Sequence, residues 1–465
     1  MHGDAWRHHP PGAACHRGYP LRRIGRRSPA LPLVQMRLTP FMPAPLLAVL
    51  VAISACAPSP PAPAVPRAQP VAVAPPPPPP DAPPAHQAPA PPVPAGPAQA
   101  AAAAVTAPPA GPPELSRGEP AADLDDIDAA VKAAIARRDA PGAVVVVVRA
   151  GRVVFERAYG LRSKKPSEEP MTIDTVFDLG SLTKPLAAAP AIMLLAQQGK
   201  IAVSDPVSKH LPAFGQNGKE AITIEQLLLH TSGLIPDNHI RDYEGGAAEA
   251  LERIHALRPF HAPGTKLDYS DVGYIVLGAL VERVSGEPLG KFARRHLYEP
   301  LGMSDTTFKP GEALAARAAP TALRDGRYLK GEVHDLRAAL LGGVAGHAGL
   351  FSTGADLARF AVLLMSGGAP IFDAATVERM TAPHALPGGA GTRALGWDIQ
   401  TSYSGNRGAL PGGFGHTGFT GTSIWLVPAH RTAVIILTSR LHPDSKGSSS
   451  RLRREVAGVV ARSLG

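Results

Sequence analysis

The stretch Asp178-Leu179-Gly180-Ser181-Leu182-Thr183-Lys184-Pro185 places a Ser-x-x-Lys step at the start of a long apolar run. On a helix, the spacing i, i+3 puts the Ser181 hydroxyl and the Lys184 amine on one face, within hydrogen-bonding reach. A lysine that is partly desolvated there can accept a proton, which makes the serine hydroxyl a nucleophile. The N–H groups at a helix start can also face a developing oxyanion. The same spacing is common on solvated helix faces, so further motifs are needed before it indicates a catalytic site.

A first companion is Tyr269-Ser270-Asp271, which precedes an apolar stretch, 272–284, that predicts a helix. A phenol beside an ammonium ionises more readily than a free phenol, so Tyr269 is a candidate proton shuttle. The alternative is an aromatic side chain that packs in the core at a helix start.

A second companion is His416-Thr417-Gly418, within a strand that the sequence predicts over 415–427. If this strand lies at a sheet edge, it can pair with a peptide-like substrate by β-augmentation while His416 and Thr417 bind the polar end of that substrate. The alternative is a surface histidine before a hairpin.

The start of the chain has the features of an export signal. Residues 1–37 hold seven arginines against one acid, and an apolar run, 45–53, ends in Ser54-Ala55-Cys56. The run is too short to span a membrane, which takes about 20 residues, and matches a signal-peptide core. Because Ile-Ser-Ala-Cys resembles a bacterial lipobox, 1–56 is predicted to be a signal peptide with Cys56 as its lipidation site. An ordinary secretory signal is the alternative, and either Met1 or Met36 can be the start.

Residues 57–120 contain 24 of the 52 prolines, interleaved with alanine and valine. Such a composition cannot pack a core and favours extended polyproline II, which indicates a linker. It is either a spacer that lifts a domain off a membrane or a neutral low-complexity insert. Both cysteines, Cys15 and Cys56, precede this segment, so no disulfide is expected in the remainder.

Residues 121–465 form the predicted domain, and their net charge of about +4 is too diffuse to indicate a nucleic-acid partner. Apolar spacing predicts helices at both ends, and β-branched runs predict strand pairs just inside them. The helices are expected over 124–135 and 452–460, and the strands over 143–148, 153–159, 422–427 and 432–438. The terminal segments would share one sheet, with a mostly helical lobe built from the middle of the chain.

In this order, Ser-x-x-Lys, Tyr-x-Asp and His-Thr-Gly resemble the motifs of penicillin-recognising serine hydrolases, a family of class C β-lactamases, D,D-peptidases and related esterases. The stretches 230–234, 333–335 and 343–353 resemble that family too. The resemblance covers about 121–465. It implies an α/β (α+β) sandwich of the β-lactamase/transpeptidase type, in which an antiparallel sheet is flanked by helices and carries an inserted, mostly helical lobe.

The resemblance also implies roles for individual residues. Ser181 would be the acylated nucleophile, Lys184 its proton acceptor, and Tyr269 the group that passes a proton to the leaving group. The N–H groups of Ser181 and Phe419 would form the oxyanion hole. Thr417 and Gly418 would bind substrate together with two residues that depart from the family pattern.

Those two residues, Asp271 and His416, bear on the substrate. Where many members have Tyr-x-Asn, Asp271 can hold the Lys184 ammonium, raise its pKa and disfavour an anionic ligand. Where β-lactamases usually have lysine, His416 gives up a permanent positive charge. We therefore expect D-amino-acid peptides, amides or small esters as substrates. A β-lactamase proper and a non-catalytic envelope protein that binds peptidoglycan or a partner are the alternatives.

Neither a metal nor another cofactor is expected. The chain lacks His-Glu-x-x-His, Cys-x-x-Cys, the phosphate loop Gly-x-x-x-x-Gly-Lys and the nucleophile elbow Gly-x-Ser-x-Gly at Ser181. The spacing of the histidines at 230, 334, 347 and 416 fits no compact ligand set. The overall prediction is a serine hydrolase, lipid-anchored in a bacterial envelope through Cys56 and facing the periplasm or the exterior.

Overall fold

A computed structural model of the chain describes residues 114–403 and 407–465. The predicted signal peptide with Cys56, and the predicted linker as far as residue 113, lie outside the described residues. Among the helices of the described part, none combines the length and apolarity needed to cross a membrane.

An antiparallel sheet of nine strands organises the fold, in the order β3-β2-β1-β14-β13-β12-β11-β10-β9. Two smaller sheets, β4-β8-β5 and β6-β7, lie outside it. The strands are β1 (Gly142–Arg149), β2 (Arg152–Ser163), β3 (Glu169–Pro170), β4 (Phe177–Asp178), β5 (Thr307–Phe308), β6 (Leu323–Arg324), β7 (Arg327–Tyr328), β8 (Leu350–Ser352), β9 (His384–Ala385), β10 (Thr392–Ala394), β11 (Trp397–Gln400), β12 (Phe414–Thr417), β13 (Ser423–Val427) and β14 (Thr432–Leu437).

Helices cover both faces of this sheet and build the lobe inserted between β3 and β9. They are α1 (Asp126–Ala136), α2 (Ala189–Gln197), α3 (Ile224–Leu228), α4 (Gly246–Ala256), α5 (Asp271–Ser285), α6 (Leu289–Ala293), α7 (Glu312–Arg317), α8 (Leu336–Leu340), α9 (Gly354–Met365), α10 (Ala374–Thr381) and α11 (Ser450–Arg462). The expected sandwich with an inserted, mostly helical lobe is confirmed.

The valine run of β1 is buried on both faces of the sheet, because β1 lies inside the sheet between β2 and β14 and helices cover both faces. Val145 and Val147 face the apolar stripes of the terminal helices α1 and α11. Val144, Val146 and Val148 face the larger core shared with α9 and the helical lobe. Alternate side chains of β1 thus pack into two different cores. The smaller core joins α1 and α11, the helices at the two ends of the domain.

The chain contacts this sheet before residue 121. The Gly118 N–H donates to the Val153 carbonyl at 2.9 Å, and Arg117 forms a bridge with Val153. The first residues that the structure describes therefore already belong to the packed domain.

The strand predicted over 415–427 is wrong as one element, because the chain turns back after Thr417. β12 and β13 are antiparallel, and the Gly418 N–H closes the turn by donating to the Thr422 carbonyl at 2.8 Å. β12 is also not an edge strand, since β11 pairs with it, at Asp398 and Gly415. That pairing ends before His416 and leaves the outer side of the following residues facing a cavity.

Candidate active site

The three sequence motifs meet at one cavity of about 350 Å³ between the sheet and the helical lobe. Six of the predicted site residues line it: Ser181, Tyr269, His416, Thr417, Gly418 and Phe419. Lys184 and Asp271 lie directly behind Ser181, within contact of each other. The structure therefore brings together every predicted site residue within its described range.

Ser181 lies in a tight turn and not in the regular helix that the sequence suggests. A 3₁₀ turn, Gly180–Leu182, is followed by a π-helical turn, Lys184–Ala188, before α2 begins. Gly180 adopts a φ of +52°, which an L side chain rarely allows. Its N–H donates to Asp178 Oδ1 at 2.9 Å, and its carbonyl accepts from the Thr183 hydroxyl at 2.7 Å. These bonds fix the turn that presents Ser181.

Lys184 is fully buried and makes three polar contacts. Its Nζ lies 3.1 Å from Ser181 Oγ, 3.1 Å from the His347 carbonyl oxygen and 2.6 Å from Asp271 Oδ1. The same atom lies 5.0 Å from the centroid of the Tyr269 ring. The lysine thus connects the nucleophile to both carboxylate and phenol.

The charge of Lys184 follows from two opposing effects. Burial lowers the pKa of its ammonium, but the Asp271 carboxylate and then Tyr269 outweigh burial and raise the pKa above its usual value. Lys184 is therefore an ammonium near neutral pH. It donates to Ser181 Oγ and has no lone pair with which to accept the serine proton.

Tyr269 is held by its neighbours in the half-buried rim of the cavity. Its ring stacks on His230, with centroids 4.2 Å apart and an interplanar angle of 28°. His230 Nδ1 accepts from the Ser270 N–H at 3.0 Å, and the Ser270 hydroxyl caps α5 by accepting from Gly273 N–H. Burial, followed by the charge of Arg393, lowers the pKa of His230, so the stacking ring is neutral. Tyr269 lines the cavity, unlike the core aromatic of the alternative interpretation.

The turn between β12 and β13 is clamped onto the segment that carries Ser181. Thr420 Oγ1 donates to the Asp178 carbonyl at 2.7 Å, and Thr422 Oγ1 donates to the Leu179 carbonyl at 2.9 Å. A Cβ on Gly418 would lie 2.3 Å from Leu179 O, so this approach excludes any side chain. The clamp brings the amide nitrogen of Phe419 close to Gly180, where the expected oxyanion hole would form.

His416 is buried, which differs from the surface histidine of the alternative interpretation. Its Nδ1 donates to the Thr417 carbonyl oxygen at 3.0 Å, because a carbonyl can only accept, so Nδ1 is the protonated nitrogen. Burial, then the charges of Arg393 and Lys184, lower its pKa well below the usual value. His416 is neutral near pH 7 and supplies no fixed charge.

Sequence reasoning missed the cations of the cavity wall. Arg393, Arg440 and Arg453 line it, together with Asp398 and Tyr403. None belongs to a recognisable motif. The available signal was the position of Arg393 in Arg-Ala-Leu-Gly-Trp, where a charge stands in an otherwise apolar strand segment.

The stretches 333–335 and 343–353 meet behind Lys184. His347 Nε2 lies 3.0 Å from Asp335 Oδ1, while the His347 backbone carbonyl accepts from Lys184. Ligand atoms of Asp271, Asp335 and His347 lie within 4.8 Å of one another. Because Asp271 already pairs with an ammonium at 2.6 Å, a metal ion at this cluster would face that positive charge.

Comparisons with known proteins agree with this geometry. Residues 127–458 match the family model described as Beta-lactamase. The N-acetylmuramyl-L-alanine amidase of Bacillus subtilis (strain 168) is 34% identical over 346 residues, which cover 65% of this chain and 78% of that protein. A putative D-alanyl-D-alanine carboxypeptidase of Escherichia coli (strain K12) is 31% identical over 343 residues, which cover 65% of this chain and 79% of that protein.

Solved structures share the fold. EstCE1, a hydrolase with promiscuous acyltransferase activity, aligns with a TM-score of 0.61 at 23% identity, covering 73% of this chain and 98% of that one. The D-alanine carboxypeptidase AmpC from Burkholderia cenocepacia aligns with a TM-score of 0.59 at 24% identity, covering 73% and 99%.

Proposed function

The chain belongs to the beta-lactamase family of serine hydrolases, and on that premise we propose that it cleaves D-amino-acid-containing peptides and amides, or small esters, through an acyl-enzyme at Ser181. The observation that carries this proposal is the contact of 3.1 Å between Lys184 Nζ and Ser181 Oγ at the wall of a cavity shared with Tyr269. A non-catalytic binding protein would have no need of a nucleophile held in this way.

The reaction proceeds in two steps. Ser181 Oγ attacks the carbonyl carbon of the substrate, and the N–H groups of Ser181 and Phe419 donate to the oxyanion. The bond to the leaving amine or alcohol then breaks, the leaving group takes up a proton, and an ester on Ser181 remains. A water molecule hydrolyses that ester, which releases the acid and restores the serine hydroxyl.

The raised pKa of Lys184 bears on which group takes the serine proton. An ammonium cannot accept it, so we assign the proton transfer to Tyr269, whose ring centroid lies 5.0 Å from Lys184 Nζ. The Tyr269 oxygen takes up the serine proton as the Tyr269 hydroxyl passes its own proton to the leaving group. The family resemblance implies Lys184 as the acceptor, and this assignment differs because Asp271 keeps Lys184 charged.

The substrate class is proposed from the relatives and from His416. Several relatives are named as putative D-alanyl-D-alanine carboxypeptidases, which supports D-alanyl peptides. A neutral His416 leaves β-lactams as the less favoured substrate. The Bacillus subtilis relative supports a second candidate, the amide bond of N-acetylmuramyl-L-alanine, because it matches at 34% identity and the same acyl-enzyme chemistry would cleave that bond.

For location, we propose a lipid-anchored protein of the bacterial envelope, facing the periplasm or the exterior, and held at the outer membrane in a Gram-negative cell. The apolar run 45–53 and the cysteine at 56 support this placement. Cys56→Ser should release the protein from membranes and abolish palmitate labelling. Continued labelling of that variant would refute the lipidation site.

Turnover of a substrate panel tests the activity. Ser181→Ala and Lys184→Met should abolish hydrolysis of p-nitrophenyl esters, D-alanyl peptides and N-acetylmuramyl-L-alanine, whichever of these the wild type cleaves. Ser448→Ala is the matched control, since Ser448 lines the same cavity without bonding Lys184. Tight binding of a panel member without any turnover or acylation would instead identify a binding protein.

A further inference from the structure

Arg393 is the least explained charge in the cavity wall. It lies on β10, its side chain is fully buried, and it nonetheless lines the cavity that contains Ser181 and Tyr269. Within the described residues, its Nε, Nη1 and Nη2 atoms have no hydrogen-bond partner. In the described part of the chain its one ion pair is long, with Nη1 3.9 Å from Asp398 Oδ1.

This arrangement is costly for the protein alone. An arginine stays charged at any physiological pH and presents five N–H donors. A buried ion without hydrogen-bonded partners destabilises the folded protein. Asp398 does not hydrogen-bond the guanidinium, since its Oδ1 lies 3.9 Å from Nη1 and accepts from the Thr401 hydroxyl at 2.9 Å. The guanidinium therefore retains its capacity to bind an anion.

The two other arginines of the wall differ, because each already donates to backbone carbonyls of the protein, although Arg453 Nε has no hydrogen-bond partner in the described structure. Arg453 Nη2 donates to the carbonyls of Gly418 at 3.2 Å and Thr422 at 2.7 Å. Arg440 donates from Nε to the Phe419 carbonyl at 2.6 Å and from Nη1 to the Gly447 carbonyl at 3.1 Å. Both hold the turn after β12 in place, whereas Arg393 holds no carbonyl.

We propose that Arg393 is a specificity-determining residue that binds a carboxylate of the substrate through paired N–H···O bonds. The inference rests on the hydrolase activity proposed for Ser181. Arg393 supplies from β10 the positive charge that His416 lacks. Its charge would favour an anionic substrate, whereas Asp271 was expected to disfavour one. A guanidinium matches a carboxylate in two parallel bonds, which a lysine cannot make.

The carboxylate can belong to the leaving group or to the acyl part of the substrate, and two substrate pairs distinguish them. The first pair is N-acetyl-D-Ala-D-Ala and its C-terminal amide. The second is succinyl-D-Ala p-nitroanilide and acetyl-D-Ala p-nitroanilide. The readout is the ratio of kcat/KM between the charged and the neutral member of each pair.

We expect wild-type protein to prefer the charged member of one pair, and Arg393→Met to reduce that ratio about 10- to 100-fold, mainly through KM. Arg393→Lys should give an intermediate ratio. Arg440→Met, the matched control from the same wall, should change the ratio little, whatever it does to the overall rate. Equal ratios for wild type and Arg393→Met in both pairs would overturn the proposal.

Asp398→Asn provides a test that does not depend on the folding of the Arg393 variants. It removes the competing carboxylate and keeps the guanidinium, so the ratio should rise; a fall would contradict the proposal. Two assays of wild-type protein show separately whether the proposed hydrolase function itself fails. If wild-type protein neither hydrolyses p-nitrophenyl acetate nor reacts with a fluorophosphonate at Ser181, the hydrolase assignment fails, not the role of Arg393.

Discussion

Asp271→Asn isolates the electrostatic control of Lys184. The substitution keeps an oxygen that can accept from Nζ but removes the negative charge 2.6 Å away. An opposite charge at such a distance typically shifts a pKa by about 1 to 3 units, equivalent to about 1.4 to 4 kcal/mol. Lys184 is fully buried and burial already lowers its pKa, so the loss of Asp271 removes the main opposing effect. The pKa of Lys184 should therefore fall by that amount.

The assay is kcat/KM for a p-nitrophenyl ester as a function of pH. If Lys184 acts as an ammonium, activity of the wild type should persist beyond pH ~10.4, where an ordinary lysine titrates, while Asp271→Asn loses activity at a pH about 1 to 3 units lower than the wild type does. If Lys184 is instead the base, the variant should gain activity near neutral pH.

Asp237→Asn is the control, because Asp237 pairs with Arg337 at 3.4 Å and forms no ion pair with Lys184 within the described residues. It should move the profile less than Asp271→Asn does. An Asp271→Asn profile that coincides with the wild-type profile would refute the electrostatic reasoning for this site.

Two further predictions concern stability and the clamped turn. Burial raises the pKa of Asp356 to about 6, so the protonated carboxyl stabilises the fold below pH ~4, and this stabilisation is lost as pH rises through 6. Between pH 4 and 8 the free energy of unfolding of the wild type should therefore fall by about 3 kcal/mol from this group, as measured by urea unfolding. Asp356→Asn should abolish that fall. The two recorded bonds to its Oδ2, from Asp305 N–H and the Thr306 hydroxyl, can be kept by the asparagine oxygen, and an unchanged pH dependence would contradict the assignment. Gly418→Ala should cost about 1 to 3 kcal/mol of stability and about 10²- to 10³-fold in kcat, because a Cβ would lie 2.3 Å from Leu179 O and displace the turn that carries the oxyanion amide. Gly311→Ala, where a Cβ meets nothing within 4 Å, should leave kcat and the thermal midpoint near wild-type values.

Local sequence patterns were sufficient for a central strand of the sheet and for the C-terminal helix that packs on it. The valine run of β1 has the length and β-branching of a buried strand, and the stripe Leu452, Val456 and Val460 repeats at helical spacing. Both elements have the predicted type because tertiary packing reinforces their local preference.

Other features depend on contacts between residues far apart in sequence. The split of 415–427 into two strands depends on the clamp of Thr420 and Thr422 onto the Ser181 segment, more than 200 residues earlier. The raised pKa of Lys184 depends on how closely Asp271 approaches it, which spacing alone does not give. Arg393 carries no motif, and only the sheet order brings it to the cavity.

The central claim is that Ser181 forms a covalent acyl-enzyme, and intact-protein mass spectrometry tests it most directly. Wild-type protein quenched in acid during turnover of a p-nitrophenyl ester or a D-alanyl peptide should gain the mass of one acyl group. Peptide mapping should place that group on Ser181, and Ser181→Ala should gain none. Turnover that continues in Ser181→Ala, or an acyl group mapped to another residue, would contradict the account.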